Sequence, residues 1–319
     1  MSYADQVFKE MCQDIINNGT DTQGEKVRPH WPDGTPAYTI KKFGVCNRYD
    51  LRKEFPALTL RRTAIKSAVD EILWIWQKKS NNIKDLKPKI WDEWADENGS
   101  IGKAYGYQLG RKFRHHKIDV PEDVDYHEYI EEIITEMERE YPSVAIIKEN
   151  GEYPVYMDQV DAVIYDLRNN PYSRRIITNI FNHADLSEMR LQPCAYSMTF
   201  NVTKEEGCDK LILNGILNQR SQDVLAANNW NVVQYAILLM MIAQCCDMIP
   251  GELVHMIADA HIYDRHVEAI NTLIDREPLP APRVTLNPDI KNFYEFKPED
   301  VYVEGYETHE QIKDIPIAI

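Results

Sequence analysis

Apolar residues recur at helical spacing in four parts of the chain. The spacing predicts helices over residues 7–16, 62–77 and 261–274. Residues 231–246 are apolar nearly all round, which is typical of a central helix packed on a sheet. The helical part of the fold is therefore expected to contain one long central helix with other helices around it.

The predicted 62–77 helix is expected to be covered on two faces. Its main apolar stripe consists of Ile65, Ala68, Val69, Ile72, Leu73 and Trp76. Glu71 and Trp74 lie three residues apart on the opposite face, and a tryptophan there indicates that this face is covered too. Glu71 is then expected to face a cavity. The alternative is a solvated carboxylate on an exposed helix face.

Alternating polar and apolar residues predict strands in the second half of the chain. A half-buried strand after Pro193 is indicated by the spacing of Tyr196, Met198, Phe200 and Val202. A turn near Gly207 leads to a second strand over 211–219, so the two are expected to pair. A last short strand is expected near Val284. Because strands and helices mix without regular alternation, the pattern favours an α+β domain over a doubly wound one.

Residues 111–159 differ from their surroundings. They begin with the basic run RKFRHHK and continue with an acidic stretch that has helical spacing at Tyr129, Ile130, Ile133, Ile134 and Met137. We interpret them as a surface insertion in a single domain that spans residues 1–319. Near the N-terminus, the Gly- and Pro-rich residues 24–38 predict a loop that carries Arg28 and precedes a short extended segment.

Length and charge narrow the classes of function. The 319 residues are 44% hydrophobic, which is enough for a substantial core. The 51 acidic and 36 basic residues give a net charge of −15, which repels the backbone of nucleic acid, so no stable nucleic-acid partner is expected. A small anionic ligand remains possible, because a few converging arginines can build a local positive site.

The six cysteines fall in no Cys-x-x-Cys pair and beside no metal-type histidine cluster, which argues against a zinc site or a disulfide framework. No metal is expected. The N-terminus lacks a basic and apolar signal segment, and no run approaches the roughly 18 to 20 apolar residues of a membrane span. A cytoplasmic, reduced protein is therefore predicted, with no membrane partner.

Several polar residues are candidates for chemistry, each with an ordinary alternative. Cys194 is either a small buried hydrophobe or a nucleophile whose pKa a cation lowers, and Arg220 can supply that cation. The polar run 218–223 is a solvated turn or part of a site. Arg174 and Arg175 form a surface turn or an anion clamp. Finally, His261 and Tyr263 either cap a helix or contact a sugar.

Together these segments resemble the thymidylate synthase family. The resemblance runs in order along nearly the whole chain, apart from residues 111–159, and such a series is far more specific than any short motif. It rests on GT at 19–20, VRPHWPDGTPA around Arg28, EILW at 71–74, IWDEWADENGSIGKAYGYQLG at 90–110, NPYSRRI at 170–176, QPC at 192–194, NQRSQD at 218–223, NVVQY at 231–235, DAHIY at 259–263, REPLPAP at 276–282 and the final IPIAI.

The resemblance implies a reaction and a fold. Cys194 would attack C6 of dUMP, and 5,10-methylenetetrahydrofolate would supply the methyl group, giving dTMP and dihydrofolate. The other expected catalytic residues are Glu71, Tyr105, Asn231 and Arg220. The implied fold is a twisted mixed β-sheet with a long central helix and surrounding helices. Two copies would pair sheet to sheet, with Arg174 and Arg175 reaching the partner's site.

The resemblance also implies two sets of binding residues. Those expected to bind dUMP are Arg28, Arg174, Arg175, Gln219, Arg220, Ser221, Asp223, Asn231, His261 and Tyr263. Those expected to bind the folate are Arg61, Ile90, Trp91, Trp94, Leu191, Asp223, Ala227, Trp230 and the Ala318-Ile319 tail. Asn231 would read the uracil edge, since its amide can donate to O4 and accept from N3–H.

Some positions depart from the family's usual residues. Ala195 replaces histidine, Ala227 and Ala258 replace glycine, Trp230 replaces phenylalanine and Asn218 replaces tyrosine. Added bulk can reshape a folate pocket. The substitutions at 227, 230 and 258 keep open a dUMP hydroxymethylase, in which water replaces hydride, whereas Trp91 and the C-terminal tail favour methylation. A less favoured alternative is an inactive homologue that binds nucleotide or RNA, which a turnover assay would separate from an enzyme.

Overall fold

The computed structural model describes residues 2–119 and 126–318. The helices are α1 Tyr3–Asn18, α2 Ile65–Trp76, α3 Gly106–Leu109, α4 Tyr126–Glu140, α5 Gln159–Asn169, α6 Asn228–Cys245 and α7 Val267–Asp275. The strands are β1 Thr20–Asp21, β2 Thr39–Asp50, β3 Phe113–Ile118, β4 Ala145–Ile146, β5 Tyr153–Met157, β6 Ile177–Asn179, β7 Ala195–Thr203, β8 Ile212–Gln219, β9 Gln222–Asp223, β10 Ile249–Tyr263, β11 Arg283–Leu286 and β12 Val301–Glu304.

The main sheet is mixed and has the order β1-β2-β10-β8-β7-β6, with β9 paired to the end of β10. Strand β10 runs antiparallel to β2 and parallel to β8, whereas β8, β7 and β6 pair antiparallel. Helix α6 packs on β8 and β10, and α2 packs on α6. A Cβ at Gly215 of β8 would lie 3.3 Å from Leu239 of α6, so the glycine permits this close approach. The predicted α+β class is confirmed.

Both faces of α2 are covered. Trp74 is fully buried and Glu71 is only 6% exposed, although they lie opposite the main apolar stripe. The prediction that this second face is covered is confirmed, and the alternative of a solvated Glu71 is excluded. Helix α6 is buried along almost its whole length, as its sequence predicts, and it begins three residues earlier than expected.

The predicted helix over 261–274 is wrong in its first part. His261 and Tyr263 end the long strand β10, a short turn follows, and α7 begins only at Val267. The backbone of residues 261–263 pairs with β2 on one side, and His261 also pairs with β9 on the other side. This pairing determines the conformation of the segment. The extended segment predicted after the Arg28 loop is also longer than expected, because β2 has 12 residues.

The region 111–159 forms a separate three-stranded sheet, β3-β5-β4, together with α4. The predicted helix is confirmed, whereas its strands were not expected. Residues 120–125 of this region lie outside the described residues. That the region 111–159 is an insertion, and that the single domain spans residues 1–319, remain predictions.

Large apolar side chains are exposed on four strands of the main sheet: Phe43, Ile177, Ile216 and Met256. The sheet-to-sheet dimer stays a prediction, since one chain is described. Among the described residues, no helix is long and apolar enough to cross a membrane. The cytoplasmic location stays a prediction.

Candidate active site

A cavity of about 460 Å³ opens where the ends of β8, β9 and β10 meet α2 and α6. It brings together residues from distant parts of the chain. Those expected from the sequence are Arg28, Glu71, Ile90, Trp91, Trp94, Tyr105, Leu191, Cys194, Gln219, Arg220, Ser221, Asp223, Ala227, Trp230, Asn231, His261, Tyr263 and Ala318.

Cys194 and Arg220 are neighbours because β7 and β8 pair antiparallel. The backbone N–H of Arg220 donates to the Cys194 carbonyl at 2.9 Å. The guanidinium is held by the carbonyls of Pro193 at 3.0 Å and Gln192 at 2.9 Å, and its Nη2 lies 3.8 Å from the Cys194 Sγ. The predicted pairing of thiol and cation is therefore present.

The thiol is not acidified overall in this structure. Burial raises the pKa of Cys194, and the charges of Arg220 and Arg28 oppose that rise without reversing it. Arg220 therefore acts on the pKa of Cys194 in the direction that the sequence suggested, although desolvation is the larger contribution.

Glu71 accepts three hydrogen bonds inside the cavity wall. The Trp91 indole N–H donates to Oε1 at 2.6 Å, and the Trp230 indole N–H and the Gln234 amide donate to Oε2 at 2.5 and 2.7 Å. Burial raises the pKa of Glu71, while these three donors oppose the rise. A buried carboxylate with a raised pKa is suited to proton transfer.

Three amide side chains, Gln219, Asn231 and Gln234, join His255 to Glu71 and form what we call the amide row. His255 Nε2 lies 2.7 Å from Gln219 Oε1, and Gln219 Nε2 donates to Asn231 Oδ1 at 3.1 Å. Asn231 Nδ2 donates to Gln234 Oε1 at 3.2 Å, and Gln234 continues to Glu71. Asn231 is thereby held at the cavity by amides on both sides.

Tyr105 reaches Cys194 from a strained turn. Its φ is 48°, and its hydroxyl accepts from the Cys194 backbone N–H at 3.4 Å. The next residue must be glycine, since a Cβ at Gly106 would lie 2.3 Å from the Ser80 carbonyl oxygen. Burial raises the pKa of Tyr105, so its hydroxyl stays protonated near neutral pH.

His261 and Tyr263 line the cavity from the end of β10. His261 Nδ1 lies 2.8 Å from Asp259 Oδ1, and its ring meets Tyr263 edge-on at 5.1 Å between centroids. His261 lies within the strand, and Tyr263, which precedes the short helix Asp264–His266, makes no side-chain capping hydrogen bond, so the helix-capping alternative is excluded. The polar contact to a sugar stays a prediction.

Aromatic rings build the wall of the cavity next to Glu71. Trp91 packs edge-on against Trp94 at 5.7 Å and against Tyr105 at 5.0 Å between centroids. The C-terminal segment is anchored by His266, whose Nε2 lies 2.8 Å from the Pro316 carbonyl oxygen. This contact leaves Ala318 at the cavity, while Ile319 lies outside the described residues.

Three expected site residues lie away from the cavity. The guanidinium of Arg61 donates to the Leu225 carbonyl instead. Arg174 and Arg175 are exposed, and Arg175 borders a different recess, beside the ring of Tyr165. Their predicted roles in folate and partner binding stay predictions.

The sequence analysis missed some residues of this site. Gln234 and Gln222 line the cavity, and Gln222 Nε2 lies 3.4 Å from Asn231 Oδ1. Gln234 follows Asn231 by three residues on a helix, so its sharing that face was a usable signal. His255 lies behind the cavity, where the sequence offers no such signal. Of the departures, Ala195, Ala227 and Trp230 line the cavity, whereas Ala258 is exposed and Asn218 is half-buried.

No group of three or more potential metal ligands was found among residues 2–119 and 126–318. The expectation that no metal takes part stays a prediction.

The fold and this cavity define an enzyme that combines a thiol, a buried carboxylate and an amide row beside arginines. Residues 6–318 match the family model of thymidylate synthase. The thymidylate synthases of Bacillus licheniformis and Bacillus phage phi3T are 37% and 36% identical to the chain over 316 residues, which cover 98% of each protein. The solved structure of thermostable thymidylate synthase A from Bacillus subtilis matches with a TM-score of 0.80 and 34% identity over 99% of both chains.

The chain belongs to the thymidylate synthase family, and it is an enzyme of the methyltransferase class. The resemblance inferred from the sequence motifs is therefore confirmed, as is the fold that it implied.

Proposed function

We propose that this protein converts dUMP to dTMP, with 5,10-methylenetetrahydrofolate as the second substrate and dihydrofolate as the second product. The observation that carries the proposal is the convergence of Cys194, Arg220, Glu71 and Asn231 on one cavity. Each of these residues supplies a different requirement of the reaction: a nucleophile, a cation, a proton carrier and a reader of the base.

Cys194 begins the chemistry by adding its sulfur to C6 of the uracil ring. The new S–C6 bond moves the electrons of the C5=C6 double bond towards O4, which makes C5 nucleophilic. The guanidinium of Arg220, 3.8 Å from Sγ, stabilises the thiolate that performs the attack. The folate supplies the one-carbon unit and then the hydride that completes the methyl group.

Glu71 is the proposed proton carrier of the cavity. The C5 proton must leave after the one-carbon unit is attached, and a carboxylate within reach, directly or through water, can accept it. Loss of that proton lets the C–N bond to the folate break, which leaves an exocyclic methylene group on C5. Hydride from the folate adds to that group, and the C5=C6 double bond re-forms as the S–C6 bond to Cys194 breaks. The buried position of Glu71, with its raised pKa, suits both acceptance and return of a proton.

Asn231 is the proposed reader of the base. Its amide can accept from N3–H and donate to O4 of uracil, whereas cytosine presents the opposite pattern. The wrong base would leave buried polar groups unpaired, which costs about 1 to 3 kcal/mol per group. The remaining proposed dUMP ligands are Arg28, Ser221, Gln219 and Asp223 with His261 and Tyr263, all of which line the cavity.

The folate is proposed to lie against the aromatic wall. The indole rings of Trp91 and Trp94 offer apolar surface next to Glu71, and Trp230 and Ala318 border the same space. A flat heteroaromatic group stacked there would keep water from the reacting carbon atoms. Ile90, Leu191, Asp223 and Ala227 also line the cavity and complete the proposed set, together with Arg61, which lies outside the cavity lining.

The active unit is proposed to be a homodimer. Arg174 and Arg175 are exposed and lie outside the cavity of their own chain, which is what a contribution to the partner's site requires. Phe43, Ile216 and Met256 supply exposed apolar surface on the sheet for the contact between two copies.

The test is an assay with purified protein, dUMP and 5,10-methylenetetrahydrofolate. Formation of dTMP by mass spectrometry, with an equal amount of dihydrofolate by absorbance, supports the proposal. A hydroxymethylated nucleotide without dihydrofolate would establish the hydroxymethylase instead, an alternative that relatives named thymidylate synthase do not favour. No turnover under conditions where dUMP binds would refute both.

A further inference from the structure

The carboxylate of Glu71 is held from both sides by indole groups. Trp91 comes from the segment after α2 and donates to Oε1, whereas Trp230 comes from the first turn of α6 and donates to Oε2. Gln234, one turn further along α6, also donates to Oε2. Helix α6 therefore supplies two of the three hydrogen bonds to this carboxylate.

Trp230 stands where the family usually has phenylalanine, and a phenylalanine ring has no N–H to donate. The Trp230 indole N–H lies within hydrogen-bond distance of the carboxylate Oε2 of Glu71, and a hydrogen bond to a charged acceptor is stronger than one between neutral groups. The rest of the ring borders the cavity next to Asn231. This side chain is thus placed to act on Glu71 and not only to fill space.

We propose that Trp230 is a positioning residue whose indole N–H stabilises the ionised form of Glu71 and fixes the direction in which its carboxylate faces. The inference rests on the proposed role of Glu71 in the reaction. It extends that role by assigning to Trp230 a third hydrogen bond to Glu71, which the phenylalanine usual at this position in the family cannot donate.

The physical reason is the balance between burial and hydrogen bonding. Burial raises the pKa of Glu71, and the hydrogen bonds from Trp230, Trp91 and Gln234 oppose that rise. Removing the Trp230 donor destabilises only the charged form, so the pKa of Glu71 must rise further. If turnover needs the ionised carboxylate, activity is then lost at a higher pH than in the unchanged protein.

Other titratable groups face the same space. Tyr105 and Tyr235 lie close to Glu71, and burial raises the pKa of both. The remaining titratable or charged groups that line the cavity are Arg28, Cys194, Arg220, Asp223, His261 and Tyr263. The test must therefore assign any observed titration to Glu71, which the variant Glu71→Gln makes possible.

The first measurement is the pH dependence of kcat for Trp230→Phe and Trp230→Leu. Both variants lack the N–H, and a hydrogen bond to a charged group corresponds to a shift of about one to two pH units. The acid limb of the profile is expected to move upward by that amount in both. Trp94→Phe is the matched control, because it removes an indole from the same cavity that is not one of the Glu71 donors.

A purely structural role for Trp230 predicts a different result. If Trp230 only shapes the folate wall, Trp230→Phe raises the KM for the folate and leaves the acid limb where it was. That result, with either variant correctly folded by circular dichroism, would overturn the inference.

A second measurement does not depend on turnover. The infrared band of a protonated carboxyl group that disappears in Glu71→Gln reports the titration of Glu71 directly. In Trp230→Phe this band is expected to appear at a higher pH than in the unchanged protein, even if the proposed reaction were wrong. An unmoved band would refute the inference while leaving the proposed function standing.

Discussion

Each active site is expected to need two chains, and mixing two defective proteins tests this directly. Cys194 and Arg220 line the cavity of their own chain, whereas Arg174 and Arg175 lie outside it. A Cys194→Ala protein and an Arg174→Ala/Arg175→Ala protein are each expected to be nearly inactive. In a heterodimer of the two, one site carries both defects and the other carries neither.

The size of the effect follows from the two-fold symmetry. Random exchange of equal amounts gives about half heterodimers, and one of the two sites in each is intact, so activity should rise to about one quarter of the unmodified protein. Exchange is induced by mild denaturant, confirmed by native mass spectrometry and followed by the dihydrofolate assay. The matched control mixes Cys194→Ala with Arg220→Ala.

In that control both defects belong to residues of the chain's own cavity, so every site in the heterodimer keeps one defect and activity stays low. Recovery in the control pair would show that Arg220 also acts across the interface. Demonstrated exchange without recovery in the test pair would mean that Arg174 and Arg175 do not complete the partner's site, and their proposed role would have to be abandoned.

Three further predictions concern single residues of the cavity. Cys194→Ala should lower kcat by at least about 1000-fold while calorimetry still detects dUMP binding, because the covalent step is lost and the arginines remain; substantial residual turnover would contradict the mechanism. Asn231→Asp should raise kcat/KM for dCMP relative to dUMP by about 10- to 100-fold, and an unchanged ratio would remove its role as base reader. Arg220→Gln should raise the pKa of Cys194, since it removes the nearest cation. The midpoint for alkylation of the Cys194 peptide by iodoacetamide then moves to higher pH, and an unmoved midpoint would show that this charge does not act on the thiol.

Local patterns predicted those parts of the fold whose own sequence determines them. Helices α2 and α6 have clear apolar spacing, and β7 and β8 form a hairpin-like pair close in sequence, which placed Arg220 beside Cys194. Strand β10 was not predicted from the sequence, and one reason is that His255, Asp259 and His261 lie among its apolar residues. Its conformation depends on pairing with β2 and β8, which lie far from it along the chain.

The contacts of Glu71 show where prediction from sequence ended. Its burial could be predicted from Trp74 on the same helix face, and that prediction is confirmed. Its hydrogen bonds to Trp230 and Gln234 join residues 159 and 163 positions apart in the sequence. No periodicity within one helix contains that information, so Trp230 was expected to border the folate and add bulk there, and not to contact Glu71.

In the amide row between Glu71 and His255, only one direction of hydrogen bonding is compatible with an ionised Glu71. An ionised carboxylate can only accept, so the Gln234 NH₂ group must face Glu71 and its oxygen must face Asn231. The same reasoning passes through Asn231 and Gln219 to the imidazole, which must carry its proton on Nε2.

Burial lowers the pKa of His255 to about 3, so that ring holds a single proton near neutral pH and has one tautomer compatible with the row. A negative charge on Glu71 thus fixes the orientation of the Asn231 side-chain amide before a nucleotide binds. A protonated Glu71 can donate to the Gln234 oxygen, and every hydrogen bond of the row can then run in the opposite direction. The group proposed to move protons would therefore also control which donor and acceptor pattern Asn231 presents to the base.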